Sequence, residues 1–180
     1  MIKHLLIILL FPTLGFAQYQ SYKVGARVGL NYSDTNAGGL EYPKVGLHAG
    51  GFITGVVGPA LHITSEIMYS HQGANFEVKD AKDITYKNNL LTTSIMVRYF
   101  VLPPKFHLHT GIQVGFMLKQ KMGKEEILSA SAPSRDVSVL VGMGYTINDR
   151  LEIATRYSHG LAEVDSRVLQ LSVLVTAFKF

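Results

Sequence analysis

From residue 22 to residue 32 the chain alternates strictly, with Val24, Ala26, Val28, Leu30 and Tyr32 on one side and Lys23, Gly25, Arg27, Gly29 and Asn31 on the other. A period of two belongs to a β-strand with two different faces, because successive side chains point to opposite sides of a pleated backbone. The same alternation recurs over residues 45–53, 61–69, 91–99, 106–118, 137–145, 151–157 and 168–180, which predicts eight strands in all. One face of each is oily. In a soluble sandwich the other face would be rich in Lys, Glu and Asp, whereas here it carries Gly, Ser, Thr and His with only occasional charges. Such a face suits a crowded polar interior, and the oily face then meets lipid.

The connections sort the strands. Long stretches (33–43, 72–89, 119–134, 159–167) alternate with short ones: Val57-Gly58-Pro59, Leu102-Pro103-Pro104 and Asn148-Asp149. This order puts every long loop at one end of an up-and-down antiparallel barrel and every tight turn at the other, as in outer-membrane barrels with long external loops and short periplasmic turns. The fold expected is therefore all-β, an eight-stranded antiparallel transmembrane barrel in the outer membrane. A soluble periplasmic barrel of lipocalin type is the competing architecture, and extraction with carbonate separates the two.

The rest of the composition fits export. After residue 17 no apolar run approaches the ~20 residues that a membrane helix needs. Before it, Lys3, the apolar stretch 5–11, Pro12 and Gly15-Phe16-Ala17 read as a secretory signal peptide cut between Ala17 and Gln18, leaving 18–180 as the barrel domain. The other reading of this segment is an uncleaved anchor or a buried helix. Cysteine is absent, which excludes a disulfide framework, a thiol nucleophile and cysteine-ligated metal. The net charge of +4 is spread along the chain without a block of like charges, so it biases the protein toward anionic lipid and not toward nucleic acid.

Aromatic residues fall where a membrane barrel uses them. Tyr32, Tyr69, Tyr99, Tyr145 and Tyr157 stand at strand ends, as two interfacial girdles would require, although strand propensity alone also favours tyrosine. Met68-Tyr69-Ser70-His71-Gln72-Gly73 echoes Arg156-Tyr157-Ser158-His159-Gly160, a likeness that equivalent places in a barrel explain. The last strand ends on Phe178-Lys179-Phe180, as expected if it closes the barrel against the first. Its faces conflict: Leu169, Leu171, Val173 and Val175 form one oily row while Leu174, Phe178 and Phe180 fall on the other, and a bulge near Thr176 would reconcile them.

These features together resemble the small outer-membrane β-barrels of the Bacteroidetes, the PorT-like or outer membrane protein beta-barrel domain family. The resemblance rests on Ala17-Gln18, on Val24-Gly25 with Gly29-Leu30-Asn31, on Gly46-Leu47-His48-Ala49-Gly50, on Ser65-Glu66-Ile67-Met68-Tyr69-Ser70 with Gln72-Gly73, on Gly142-Met143-Gly144-Tyr145, on Arg156-Tyr157-Ser158 with Gly160-Leu161, and on Phe178-Lys179-Phe180. It covers essentially the whole mature chain. Thr93-Ser94-Ile95 stands where many members carry a proline in the fourth strand. Phe178 and Phe180 also resemble the aromatic-ended signal read by the barrel assembly machinery, so that machinery and outer-membrane lipids are expected partners.

Five charges fall on the lumen face: Arg27, Glu66, Arg98, Glu152 and Arg156. Isolated buried charges are costly, so they should pair. Glu66 and Arg98, on adjacent strands at comparable heights, form the expected pair, with Arg156 as a further partner across the lumen. Such a cluster either conducts ions or protons or forms a packed electrostatic plug; the narrowness of an eight-stranded barrel favours the plug. His107 and His109 share a strand face, with His62 near the same end, but no third ligand completes a zinc site, and lumen-filling histidines are the expected reading. Ser158, His159 and Glu163 offer a hydrolase's residue types, yet Ser158 and His159 are successive on a strand and so face opposite sides. No catalytic site, metal or cofactor is expected.

The function expected is non-enzymatic: a structural, adhesive or docking role exercised through the outer loops toward an unidentified protein or surface ligand. The alternatives are a lipid-modifying enzyme, a narrow channel, or an accessory component of a secretion system.

Overall fold

Alternation along the chain becomes pairing between strands in the computed structural model, which describes residues 21–36, 41–76, 84–122, 125–126, 135–161 and 165–180. The strands are β1 (Ser21–Asn36), β2 (Glu41–Val56), β3 (Leu61–Phe76), β4 (Ile84–Leu102), β5 (Phe106–Met122), the two-residue β6 (Glu125–Glu126), β7 (Arg135–Thr146), β8 (Leu151–Gly160) and β9 (Asp165–Lys179). All pairings are antiparallel. The order β4-β3-β2-β1-β9-β8-β7-β5 is closed by the pairing of β5 with β4, giving an eight-stranded barrel to which β6 adds only a short ribbon beside β5. Closure leaves no strand edge to be satisfied by water, which is what a sheet in hydrocarbon requires. The expected leader, residues 1–17, lies outside the described residues, as does Glu163.

Burial follows the alternation. Val28, Ile95, Ile112, Val141 and Ile153 point outward with 43–57% of their surface exposed, and Ile63 points the same way. A soluble protein does not leave a continuous apolar belt of this kind in water. Tyr32, Tyr69 and Tyr157 border the belt toward the loop end, and Tyr99 and Tyr145 border it toward the turn end, all exposed. The other face of each strand is buried, so the core of the molecule is the lumen.

The strands are longer than the alternation indicates. β1, β2 and β3 each run 16 residues and β4 runs 19, while a membrane crossing takes only about 9–11. Much of the stretches 33–43 and 72–89, expected as loop, is therefore paired ribbon: Phe76 still faces Ile84 and Asn36 still faces Asp165. At the other end the turns are tight. In the turn before β8, Asn148 Oδ1 accepts from the backbone N–H groups of Arg150 and Leu151, both at 2.9 Å, which lets the side chain do the work of a backbone turn.

The conflict of faces in β9 is resolved by a bulge. Val24 pairs with Phe178 and Gly25 with Thr176, so Ala177 is the extra residue. Leu174 consequently lies buried in the lumen, while Phe178 and Phe180 turn outward with their rings stacked 6.3 Å apart. Tyr22 and Phe180 exchange both backbone hydrogen bonds at 2.9 Å, carrying the seam to the end of the chain.

Candidate functional site: the charged lumen

The five lumen charges occupy two clusters. Toward the loop end, Glu66 lies between two arginines: its Oε1 accepts from Arg27 Nη1 and its Oε2 from Arg156 Nη1, each at 2.7 Å, with all three side chains essentially inaccessible. Arg156 also donates from Nε to Gln170 Oε1. Toward the turn end, Glu152 accepts from Arg98 Nη1 through both oxygens at 3.1 Å and meets His107 Nε2 at 3.1 Å. Charge-assisted contacts of this kind are the strong ones, and in a closed lumen they compensate groups that water cannot reach.

The expected pair of Glu66 with Arg98 does not form. Glu66 faces Ser94 across β3–β4, and Arg98 faces His62, four residues further along, which is about 13 Å of strand. The stagger of the sheet, not membership of adjacent strands, decides who meets whom. Arg27 reaches Glu66 across β2, where the lumen-facing position opposite Arg27 is Gly50. A side-chain carbon at Gly50 would sit 2.1 Å from the Ile67 carbonyl oxygen and 2.7 Å from Cα and Sδ of Met68, so the position admits no side chain unless β3 shifts. Gly144 leaves room for the ring of His107, whose Nε2 and Cε1 would lie 2.3 and 2.6 Å from an added carbon.

A third polar cluster was not anticipated as such. Asn31 Oδ1 can only accept, so His48 Nδ1 donates to it at 2.6 Å, and His48 Nε2 then accepts from Ser172 Oγ at 2.9 Å. Asn31 Nδ2 donates onward to Ser70 Oγ at 2.7 Å. All four are buried. The signal for them was the inward parity of polar residues on β1, β2, β3 and β9.

The other sequence candidates separate. His107 and His109 do share the lumen face, with ring centroids 5.4 Å apart, but Phe100 stands between His62 and His107, 4.5 Å from the first ring and 4.9 Å from the second. Among the described residues no group of three His, Cys, Asp or Glu side chains is placed to hold a metal ion. Ser158 is buried in the lumen, whereas His159 lies outside against Tyr157, so the two cannot act on one bond. Tyr69 and His71 repeat that outward ring contact, and Ser70 points inward as Ser158 does, so the internal echo is one of structural place.

Residues 16–166 match the family described as outer membrane protein beta-barrel domain. No curated protein matches the chain by sequence. Among solved structures, Ail, the attachment invasion locus protein of Yersinia pestis, superposes with a TM-score of 0.55 at 10% identity over 89% of this chain and 98% of that one. The same protein in complex with the heparin analogue sucrose octasulfate gives 0.56 at 13% identity over 88% and 99%. Neisserial surface protein A gives 0.54 at 16% identity over 86% and 96%. At such identities the likeness is one of fold. A closed barrel with a lipid-ready exterior and a family match over most of its length lead to one conclusion: the chain belongs to the outer membrane protein beta-barrel domain family and resides in the outer membrane.

Proposed function

We propose that this barrel is non-enzymatic, that its lumen is an electrostatic plug, and that it acts through its outer connections, as a structural element, an adhesin or a docking point for a protein or surface ligand. The observation that carries this reading is the burial of Glu66 between Arg27 and Arg156. Both carboxylate oxygens of Glu66 are taken by arginine and all three side chains are shut off from water, which leaves neither a poised acid or base nor a string of solvated groups along which an ion could step. The separation of Ser158 from His159 argues in the same direction against acyl-transfer chemistry.

In this reading the chain is one of the small PorT-like barrels of the Bacteroidetes, on the motifs quoted above, and it is delivered by the barrel assembly machinery with Phe178 and Phe180 as part of the signal. A chimera tests the reading. The outer connections of this chain, grafted onto an unrelated eight-stranded barrel, should restore whatever surface property is lost on deleting the gene. Unit conductance in planar bilayers, or altered acylation of envelope lipids in cells that express the protein, would overturn it. If the deletion instead traps secreted proteins in the periplasm, the role is accessory to secretion.

A further inference from the structure

At the turn end the lumen widens into a cavity of about 410 Å³ open to the periplasm. It shares Lys23, His62, Phe100, Thr146 and Asp149 with a narrower recess of about 20 Å³ that reaches Arg98 and Glu152. The larger volume falls in the range of small-molecule sites, about 300–1,000 Å³. Its walls are of two kinds. Val56, Phe100 and Pro103 make an apolar side, and Lys23 and Lys179, direct partners across β1–β9, supply two ammonium groups.

Like charges set opposite each other across two strands destabilise the pair. Among the described residues neither lysine side chain makes a close ion pair or a hydrogen bond, and Glu152 and Asp149 act on Lys23 only from longer range. Of the carboxylates that line the two spaces, Glu152 is already held by Arg98 and His107, and Asp149 is an exposed turn residue. Above them Arg98, itself only 4% exposed, keeps a buried Nε–H without an acceptor. Two lysines paired across the strands beside an apolar wall are the parts of a site for a doubly charged oxyanion with an apolar body, and Arg98 adds positive charge from the recess behind Lys23.

We infer that this mouth binds a small phosphate monoester from the periplasm, its phosphate between Lys23 and Lys179 and its apolar body against Phe100 and Pro103. The full mature barrel, refolded into octyl glucoside micelles and carrying ¹³Cε-labelled lysine, is titrated with phenyl phosphate and followed by NMR. The Lys23 and Lys179 signals should shift and saturate. Inorganic phosphate and benzoate, lacking the apolar body and the second charge respectively, should each bind about ten-fold more weakly. K23Q and K179Q should each lose about ten-fold in affinity, the worth of one charge-assisted contact. K105Q, at a turn outside the cavity, should bind as the parent does, and the gel mobility of unheated samples confirms that each variant is folded. Shifts that grow linearly without saturating, or an equal loss in K105Q, would overturn the inference. So would a response seen only in phosphatidylglycerol nanodiscs and not with phenyl phosphate, which would assign the lysines to lipid headgroups.

Discussion

The two charged clusters of the lumen use the same residue types and are closed to different degrees. Glu66 has an arginine on each carboxylate oxygen and no exposed side-chain surface, while Glu152 keeps 13% of its side chain accessible and relies on longer contacts to Arg98 and His107. The first cluster lies where Arg27 reaches across β2 at the level of Gly50, and the second lines the narrow recess at the turn end. The difference teaches that a carboxylate in a narrow barrel is secured by its distance from the mouth as much as by its partners. A charge stranded far from the mouth has nothing to solvate it, whereas one near the mouth has water.

The largest effect should come from E66Q, which leaves Arg27 and Arg156 facing each other without a carboxylate; urea unfolding from lipid vesicles should show a loss of about 3–5 kcal/mol. Next come the outer-face variants V28R and I95R, beside the Glu66 layer, each expected to cost about 2–4 kcal/mol in the same assay, against about 0–1 for V101R near the interface. If depth made no difference to these three, the position of the bilayer around the barrel would be wrong. E152A should cost about 1.5–3 kcal/mol, since Arg98 loses one charge-assisted partner but can turn to water through the mouth; a loss equal to that of E66Q would erase the contrast between the clusters. Deleting Phe180 should have the smallest effect on refolding into micelles, because its ring is exposed, and should still reduce insertion in cells sharply. Equal losses in the two assays would make it an ordinary packing residue.

The barrel and its two faces were legible because lipid on one side and a packed lumen on the other impose opposite demands on alternate residues, as Val28 and Arg27 show. The same cause hid the upper ribbons. Asn88-Asn89 pairs with Gln72 and His71 beyond the bilayer, where no lipid faces the sheet, so the alternation fades although the pairing continues. All five lumen charges could be named from parity. Their partners could not, because a partner depends on the stagger between strands and on contacts across the barrel. Arg156 is 90 residues from Glu66, and nothing local in either strand records their distance. The bulge at Ala177 was suggested by the conflict between Leu174 and Phe178, an instance in which a contradiction in pattern located a real irregularity.

The account turns on Glu66 as the common partner of two arginines, and a double-mutant cycle with Arg27 tests that most directly. Unfolding free energies of the parent, E66Q, R27M and the E66Q/R27M double variant are measured by urea in lipid vesicles. R27M leaves the Glu66–Arg156 pair intact and should be the milder single change. The double variant, with one arginine fewer to strand, should be more stable than E66Q alone, with a coupling of about 1–3 kcal/mol. Losses that simply add, or an E66Q variant as stable as the parent, would contradict the closed ionic plug.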